Sequence, residues 1–343
     1  MVYHHSMIMT ESSKILITGG TGSLGKALVQ KILEKHPKIK RLVIFSRDEL
    51  KQFEMQMNYS QKKFPGLRFF IGDIRDKGRL EFALKDIDFV IHAAALKHVP
   101  TAEYNPFEFI KTNVLGAQNL IEACFKNGVK KVVALSTDKA SSPINLYGAS
   151  KLCADKLFIA ANNIRGSQDI SFSTVRYGNV MGSRGSVIPY FLEKRSEGFL
   201  PITHRDMTRF NITLEQGVKT VIWTIENSIG GEIIVPKIPS YKILDLAKAI
   251  APHAQFEFTG IRPGEKLHEE MISESDSMNV IDEGIHYVII PNNGLESNKK
   301  YLNHFSGKFV QHGFKYSSDK NSHFLSVDEI EKLITIHVES NFK

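Results

Sequence analysis

The sequence predicts an α/β fold, a doubly wound parallel sheet with a smaller C-terminal region, on three observations. Short apolar runs alternate with amphipathic helical stretches over roughly the first 180 residues, as in parallel sheets with helices on both faces. A glycine-rich segment follows the first apolar run, and the pattern loosens after about residue 185. The 343 residues are enough for one large domain with a smaller appendage.

The elements follow in chain order. Short β-branched runs predict buried parallel strands at 14–20, 41–47, 67–73, 88–95, 130–137 and 172–180. Apolar residues at helical spacing predict helices at 25–35 and 106–128. The second part predicts helices at 213–227, 243–252 and near 327–337, and short strands at 231–236 and 286–291. The tail beyond residue 292 gives only weak signals before that last helix.

These elements divide the chain into a flexible N-terminus over 1–13, a dinucleotide-binding domain over 14–185 and a substrate-binding region over 186–343. Some segments of the third part are expected to return to the core. No apolar stretch approaches the ~20 residues of a membrane span, and the N-terminus does not resemble a signal peptide, so a cytoplasmic protein is expected.

Composition and charge narrow the functional classes. The formal charge of +7 comes without a dense basic run, so no nucleic-acid groove is expected, while anionic small ligands are compatible with it. Cys124 and Cys153 form no CxxC motif and are expected to be buried, and neither a disulfide nor a metal site is predicted.

The segment TGGTGSLG, residues 18–25, joins the first strand to the first helix, the position of a Rossmann-type dinucleotide site. Gly19 permits the tight turn, Gly22 lets the backbone approach a pyrophosphate, and Gly25 lets the helix pack on the strand. The helix N-terminus supplies donors for the phosphates. The predicted cofactor contacts in this turn are Gly19, Thr21, Gly22, Ser23, Leu24 and Gly25.

The end of the second strand bears on which dinucleotide binds. An acidic residue there usually receives the ribose 2′-hydroxyl, whereas Ser46-Arg47 suits a 2′-phosphate, which favours NADP. Asp48 and Glu49 follow at once, so NAD stays open. Asp48 and Lys51 are further candidate contacts.

The third and fourth strands contribute the remaining cofactor candidates. Asp73 and Ile74 are expected to meet the adenine. Ala93, Ala94 and Ala95 are small enough to let the cofactor pass, although apolar packing would explain them equally well.

The segment STDKASSPINLYGASK, residues 136–151, carries two acid/base pairs. Tyr147 and Lys151 stand four apart and share one helix face, and a cation beside a phenol favours the phenolate form of a general base. Asp138 and Lys139 form the second pair at the end of a strand. A simple alcohol dehydrogenase needs only the first pair, so the second indicates further chemistry.

With these motifs placed, the chain resembles the extended short-chain dehydrogenase/reductase family, through TGGTGSLG, HAAA (92–95), STDK (136–139) and YGASK (147–151). A closer likeness, to the C5-inverting 4,6-dehydratases of UDP-N-acetylglucosamine, runs from about residue 14 to 270. It is carried by SRDELKQ (46–52), AALKHVPTAEYNP (94–106), VRYGNVMGSRGSVIP (175–189), MTRF (207–210) and GIRPGEKLHE (260–269).

The resemblance implies roles for both pairs. Tyr147 would accept the 4-hydroxyl proton, with Lys151 stabilising the phenolate and holding the nicotinamide ribose, so both would also be cofactor contacts. Hydride would pass from C4 to tightly held, recycled NADP. Lys139, uncharged and facing the crevice, would remove the C5 proton, and Asp138 would protonate the departing 6-hydroxyl. Burial or neighbouring cations such as Lys151 could keep Lys139 neutral. Thr137 could hydrogen-bond the 4-oxygen or simply cap the strand.

The resemblance also implies a product, UDP-2-acetamido-2,6-dideoxy-L-arabino-hex-4-ulose, a place at the start of pseudaminic acid biosynthesis, and a homo-oligomer such as a hexamer. No nucleic-acid, membrane or metal partner is expected. The strongest candidates for the nucleotide-sugar are Asn179, Arg262 and Glu265. Further candidates are Lys97 (also near the cofactor), Arg184, Arg205 and Arg209. His98 and His268 are expected to be structural.

Three other functions stay open: a nucleotide-sugar 4-epimerase or C5-epimerising relative, a C5-retaining dehydratase, and a non-catalytic dinucleotide-binding scaffold. Asp138 and Lys139 argue against simple 4-epimerisation, because that reaction needs no proton to leave C5.

Overall fold

The computed structural model describes residues 9–183, 185–292 and 294–338. The strands are β1 Lys14–Thr18, β2 Arg41–Ser46, β3 Leu67–Ile71, β4 Phe89–His92, β5 Lys131–Thr137, β6 Ser171–Tyr177, β7 Asn179–Val180, β8 Phe199–Ile202, β9 Thr208–Ile212, β10 Ile233–Pro236, β11 Ser240–Lys242, β12 Gln255–Phe258, β13 Glu270–Ile272, β14 Val280–Asp282, β15 His286–Ile289, β16 Lys308–Phe309 and β17 Tyr316–Ser317. The helices are α1 Ser23–Lys35, α2 Glu49–Met57, α3 Lys77–Ala83, α4 Val99–Tyr104, α5 Pro106–Phe109, α6 Gly116–Asn127, α7 Leu146–Ile164, α8 Val187–Lys194, α9 Leu214–Asn227, α10 Ile243–Ile250, α11 Leu295–Phe305 and α12 Val327–His337.

A ten-stranded sheet forms the centre of the protein, and it confirms the predicted doubly wound α/β class. Its parallel part runs in the order β3-β2-β1-β4-β5-β6-β10. Strand β1 pairs with β2 on one side and β4 on the other, so the strand order reverses there. In such sheets a crevice opens beyond the carboxyl ends of the strands at this point.

Two hydrophobic cores cover the two faces of the sheet. On one face α1 and α9 bury side chains such as Leu28, Ile32 and Val221. On the other, α3, α6 and α7 bury side chains such as Leu120 and Phe158. Full burial of one such side chain contributes about 1.5–3 kcal/mol, so the two layers hold the sheet and its carboxyl edge rigidly.

Segments from the second part of the chain extend the large sheet. Strand β10 joins β6, and β15, β14 and β16 continue antiparallel beyond it. Smaller sheets made by β7, β9 and β11, by β8 and β12, and by β13 and β17 lie outside it. Within the predicted flexible N-terminus, residues 1–8 lie outside the described residues, and Met9 packs in the core.

Several predicted elements are interrupted. The helix predicted at 106–128 contains a π-helical stretch, Ile110–Leu115, between α5 and α6. The strand predicted at 172–180 breaks at Gly178, where the chain leaves the large sheet and β7 pairs with β9 instead. Strand β4 ends at His92, before the three alanines. Cys124 is buried as expected, but Cys153 is exposed, so that prediction is wrong.

Helix α11, in the region of weak signals, is amphipathic and buries only Tyr301 and Phe305. None of the helices within the described ranges combines the length and apolar character needed to cross a bilayer.

Candidate active site

The glycine-rich turn between β1 and α1 has the geometry of a phosphate cradle. Gly19 adopts a φ of 67°, and a Cβ on it would lie 2.7 Å from the backbone nitrogen of Ala94. A Cβ on Gly25 would lie 2.5 Å from the Cα of Gly20. Helix α1 begins at Ser23 with no capping side chain among the described residues, so its first amides remain available to an anion. The turn therefore fits a dinucleotide pyrophosphate.

At the end of β2, the acidic side chain that could receive a ribose hydroxyl is engaged within the protein. Asp48 caps α2: its Oδ1 accepts from the Lys51 amide at 3.0 Å, and its Oδ2 pairs with Lys51 Nζ at 2.7 Å. That carboxylate is therefore already engaged. The Arg47 side chain is exposed, with Nη1 3.7 Å from Asp73 Oδ2. Ser46 accepts hydrogen bonds from Gln52 through its carbonyl and its hydroxyl.

The other predicted cofactor residues differ in how far their side chains are buried. The Ile74 side chain is buried in the core against Gly116, so only its backbone is available to a ligand. The Asp73 carboxylate also accepts from the Arg75 guanidinium. Ala93 and Ala94 are half-buried and Ala95 is exposed, which leaves a shallow surface beside the glycine turn.

The end of β5 and the start of α7 bring the two predicted acid/base pairs together. After Thr137 the chain forms one 3-10 turn over Asp138–Ala140, and Asn145 caps α7 by accepting from the Gly148 amide at 2.7 Å. A Cβ on Gly148 would lie only 2.2 Å from the carbonyl oxygen of Lys139. The absence of a side chain at this position therefore lets the helix carrying Tyr147 pack directly on the turn carrying Lys139.

We predict that Gly148→Ala lowers turnover by about 100-fold, because the added methyl must push the turn and the helix apart by a substantial fraction of an ångström. Gly148 has ordinary helical backbone geometry, so the variant should still fold. Steady-state turnover together with thermal unfolding would test this. Wild-type turnover in the variant would contradict the proposed close approach.

Asp138 is fully buried, with 0% of its surface exposed. Its Oδ1 accepts from Thr137 Oγ1 at 3.0 Å and from Lys139 Nζ at 3.1 Å, while its Oδ2 finds no partner among the described residues. Burial raises the pKa of Asp138 although Lys139 opposes the shift, which favours a carboxyl that can hold a proton. Thr137 is also buried but keeps 9% of its surface exposed, whereas Asp138 keeps none.

The expectation of an uncharged Lys139 is wrong for the ligand-free protein. Its Nζ lies 3.1 Å from Asp138 Oδ1 and 3.1 Å from Glu269 Oε1. Burial disfavours the ammonium, yet the two carboxylates outweigh it and raise the pKa of Lys139 above its ordinary value. The groups that decide the charge of Lys139 are anions, whereas the sequence led us to expect neighbouring cations. About a quarter of the side chain is exposed, so the ammonium still reaches solvent.

The expected stabilisation of a Tyr147 phenolate by Lys151 is also wrong in the ligand-free protein. Lys151 Nζ donates to the carbonyl of Leu135 at 2.6 Å. Burial raises the pKa of Tyr147 to about 12, and the groups that counteract it are Lys139 and the Thr137 hydroxyl. Burial lowers the pKa of Lys151. Both side chains nevertheless lie on one face of α7, as the spacing predicted.

Glu269 is the residue of this cluster that the sequence did not single out. It lies just before β13, is almost fully buried, and its Oε1 is 3.9 Å from Arg209 Nε as well as 3.1 Å from Lys139 Nζ. Burial disfavours its charge, but Lys139 and Arg209 hold its pKa below the usual value. The only sequence signal for Glu269 was its place at the end of the segment GIRPGEKLHE. Because Glu269 is far from Lys139 along the chain, no local spacing could indicate their contact.

The predicted substrate contacts fall into two groups. Asn179 lies in the cluster, since its Oδ1 accepts from Lys139 Nζ at 3.4 Å. Arg209 is buried, and its guanidinium donates to the carbonyls of Thr208 and Leu267 beside Glu269, so it is already engaged. Lys97 lies near the cluster with part of its side chain at the surface, and partial desolvation of its amine and the charge of Lys139 lower its pKa.

The remaining candidates are more peripheral. Arg262 is exposed, and Glu265 Oε2 is buried with no partner in the described part of the chain, which suits an acceptor for a ligand hydroxyl. Arg205 lies over the Phe258 ring, and His268 Nδ1 shares a hydrogen bond with Thr208 Oγ1. The ring of His98 lies beside Gly185. Arg184 lies outside the described residues.

Within residues 9–183, 185–292 and 294–338, no group of three or more His, Cys, Asp or Glu side chains is arranged to hold a metal ion. The described cluster thus consists of a dinucleotide cradle and, beside it, a phenol, two lysines and two buried carboxyl groups.

Comparison with known proteins matches residues 15–291 to the polysaccharide biosynthesis protein family. A UDP-N-acetylglucosamine 4,6-dehydratase (inverting) from Campylobacter jejuni is 54% identical over 96% of this chain and 99% of its own length. A UDP-glucose 4-epimerase from Rickettsia canadensis is 42% identical over 93% of this chain and 94% of its own. The X-ray structure of Pen from Bacillus thuringiensis superposes with a TM-score of 0.86 at 37% identity, covering 96% of this chain and 99% of that one.

Proposed function

The chain belongs to the polysaccharide biosynthesis protein family, within the extended short-chain dehydrogenases/reductases, and on that premise we propose that it is a C5-inverting UDP-N-acetylglucosamine 4,6-dehydratase. The observation that carries the proposal is the contact of Asp138 and Lys139 with each other, on a turn that packs against the helix of Tyr147. Removing water across C5 and C6 needs a base for the C5 proton and an acid for the 6-hydroxyl, in addition to a base at C4.

The first step uses Tyr147. A bound nicotinamide dinucleotide supplies the hydride acceptor for C4 and the hydride donor for C6. Tyr147 is mostly a phenol in the ligand-free protein, and it accepts the 4-hydroxyl proton through its minor phenolate form. The Lys139 ammonium and the Thr137 hydroxyl favour this form, because they oppose the effect of burial on the pKa of Tyr147. The 4-ketone that results makes the C5 proton acidic.

The second step follows from the charge change at Tyr147. Once Tyr147 is neutral, Lys139 has lost an anionic neighbour, and its proton can move across the 3.1 Å contact to the Asp138 carboxylate. This transfer leaves a neutral amine and a protonated carboxyl, the base and the acid that elimination requires. The amine takes the C5 proton.

Asp138 is buried, so its proton reaches the departing 6-hydroxyl through the Thr137 hydroxyl, 3.0 Å from Asp138 Oδ1. Water leaves, and the Asp138–Lys139 ion pair is restored. After hydride return to C6, C5 takes up the proton that the Tyr147 phenol releases. Tyr147 thereby returns to its phenolate form, and neither a net redox change nor a net proton transfer remains.

NADP is the proposed cofactor, since Asp48 is engaged as a helix cap and Arg47 is exposed at the end of β2. We predict that Arg47→Ala weakens NADP binding by about 10- to 100-fold, the loss expected for a charge-assisted hydrogen bond, and leaves NAD binding little changed. Calorimetric titration of the cofactor-free protein with both dinucleotides would measure this. An equal loss for the two would contradict a 2′-phosphate contact.

Incubation of the purified protein with UDP-N-acetylglucosamine tests the proposed function. Mass spectrometry should find a product lighter by one water, and NMR in D2O should show deuterium at C5 with inverted configuration. An isobaric product would support the 4-epimerase alternative, which the similarity to the Rickettsia canadensis protein favours. Loss of water with retained configuration would indicate a C5-retaining dehydratase.

We further propose that the product enters pseudaminic acid biosynthesis for surface glycans, and that the protein is a cytoplasmic homo-oligomer. Family membership is the support for these proposals. Within the chain, we propose that residues 14–185 bind the dinucleotide and that the site for the sugar nucleotide is built largely from 186–343, with Asn179, Arg262 and Glu265 as its contacts.

A further inference from the structure

Glu269 contacts the Lys139 amine, although its own backbone belongs to a distant part of the chain. Its Oε1 lies 3.1 Å from Lys139 Nζ, and the Glu269 side chain is only 3% exposed. Its Oε2 is buried and has no partner among the residues that the structure describes. An unpartnered carboxylate oxygen is costly to bury, so a structural role as a simple surface ion pair does not account for this placement.

Glu269 and Asp138 hold Lys139 from different elements. Asp138 Oδ1 and Glu269 Oε1 are each 3.1 Å from Lys139 Nζ, and Asn179 Oδ1 is 3.4 Å from it. These acceptors come from the 3-10 turn, the residue before β13 and β7, so they fix the position of the amine. Asp138 becomes neutral when it takes up the Lys139 proton, and Glu269 is then the remaining anion in contact with the amine.

We propose that Glu269 is a positioning residue for the dehydration: it fixes Lys139 in the crevice and stabilises the ammonium that forms when Lys139 takes the C5 proton. The role of Glu269 in the reaction rests on the proposed function, whereas its coupling to Lys139 is a property of the ligand-free protein. In proton transfer, the nitrogen–hydrogen bond that forms on Lys139 replaces the carbon–hydrogen bond broken at C5, and the negative charge of Glu269 favours that transfer.

Other charges around the pair do not supply this anion. Arg209 and Lys266 are cations, as is Lys97 in its protonated form, and Tyr147 and Tyr241 have their pKa raised by burial, so they are neutral phenols in the ligand-free protein. The titratable groups that act on Lys139 or Glu269 are Lys97, Asp138, Tyr147, Arg209, Tyr241 and Lys266. Removing Glu269 would leave Lys139 among cations, with Asp138 as its one acidic neighbour in this set.

The test is NMR of protein labelled with ¹³C at the lysine ε-carbon, with the Lys139 signal assigned by its loss in Lys139→Met. In the wild type, Lys139 should stay an ammonium up to about pH 10. In Glu269→Gln its titration midpoint should fall by about 1–3 pH units, the shift expected when an opposite charge within contact distance is removed. An unchanged midpoint in Glu269→Gln would overturn the proposal.

Two further variants separate charge from packing. Glu270→Gln is the matched control: Glu270 is the next residue, its carboxylate contacts Ser142 and Lys315, and this variant should leave the Lys139 midpoint in place. Glu269→Asp keeps the charge and should keep the Lys139 midpoint near that of the wild type. This variant provides the test if Glu269→Gln does not fold. An equal fall of the midpoint in Glu270→Gln or in Glu269→Asp would count against a specific electrostatic role.

Kinetics provide the second readout. In Glu269→Gln, kcat should fall by about tenfold or more with KM little changed, and Glu269→Asp should restore most of the loss. A merely structural residue would lower the melting temperature without this difference between kcat and KM. The NMR experiment needs no substrate, so it tests the Glu269–Lys139 coupling independently of the proposed function. The proposed function would be contradicted separately, if the wild-type protein did not dehydrate the substrate.

Discussion

Replacing Lys139 with alanine should reduce dehydration of UDP-N-acetylglucosamine by at least about 10³-fold and leave the fold intact. The variant removes the only amine within contact of both Asp138 and Glu269 among the described residues. The C5 proton then has no base. Turnover measured by mass spectrometry, together with circular dichroism, would show the loss.

The step at which the reaction stops in the Lys139→Ala variant shows which step requires Lys139. In the proposed mechanism the base for C4 oxidation is Tyr147, so a substrate deuterated at C4 should still transfer its label to the cofactor, although more slowly because the phenolate has lost the Lys139 ammonium. Deuterium from D2O should not enter C5. Lys130→Ala is the matched control. Lys130 lies immediately before the first residue of β5, at the end of the strand away from the site, and it pairs with Asp88. If Lys139→Ala turned over as the wild type does, the assignment of the base would be wrong.

Tyr147→Phe should also abolish product formation, by about 10²- to 10⁴-fold, but at the earlier stage. The phenol oxygen is the proposed proton acceptor for the 4-hydroxyl, and the ring packs with Ala102 and Phe109, so phenylalanine keeps the packing. With the C4-deuterated substrate, no label should reach the cofactor, in contrast to Lys139→Ala.

Tyr104→Phe is the control for this change, because Tyr104 lies on α4 with 86% of its surface exposed. Wild-type transfer of the C4 label in Tyr147→Phe would rule out Tyr147 as the C4 base. The two catalytic variants, measured side by side, therefore order the two steps.

The parallel strands could be predicted because their residues carry the signal themselves. Strands such as Lys14–Thr18 and Arg41–Ser46 are buried on both faces and appear as continuous β-branched runs, and the glycine turn lies directly between β1 and α1. The break at Gly178 was missed, because β-branched and aromatic residues stand on both sides of that glycine and only pairing with β9 decides where the chain leaves the sheet.

The core of the site could likewise be predicted, because Asp138, Lys139, Tyr147 and Lys151 lie within one short segment. A single turn and a helix start bring them together, so local spacing is sufficient. Glu269 could not be placed, because it reaches Lys139 only through the packing of β13 and the loop before it beside the turn after β5.

The sequence by itself determined the α/β class, the position of the glycine-rich turn and the grouping of the four side chains that are proposed for acid/base chemistry. These depend on hydrophobic periodicity and on spacing of a few residues. Only the tertiary structure decided their protonation: an ammonium at Lys139 between two carboxylates, a buried phenol at Tyr147 and a buried carboxyl at Asp138. The physical reason is that a pKa depends on burial and on charges within a few ångströms, and those charges come from segments far apart in the chain.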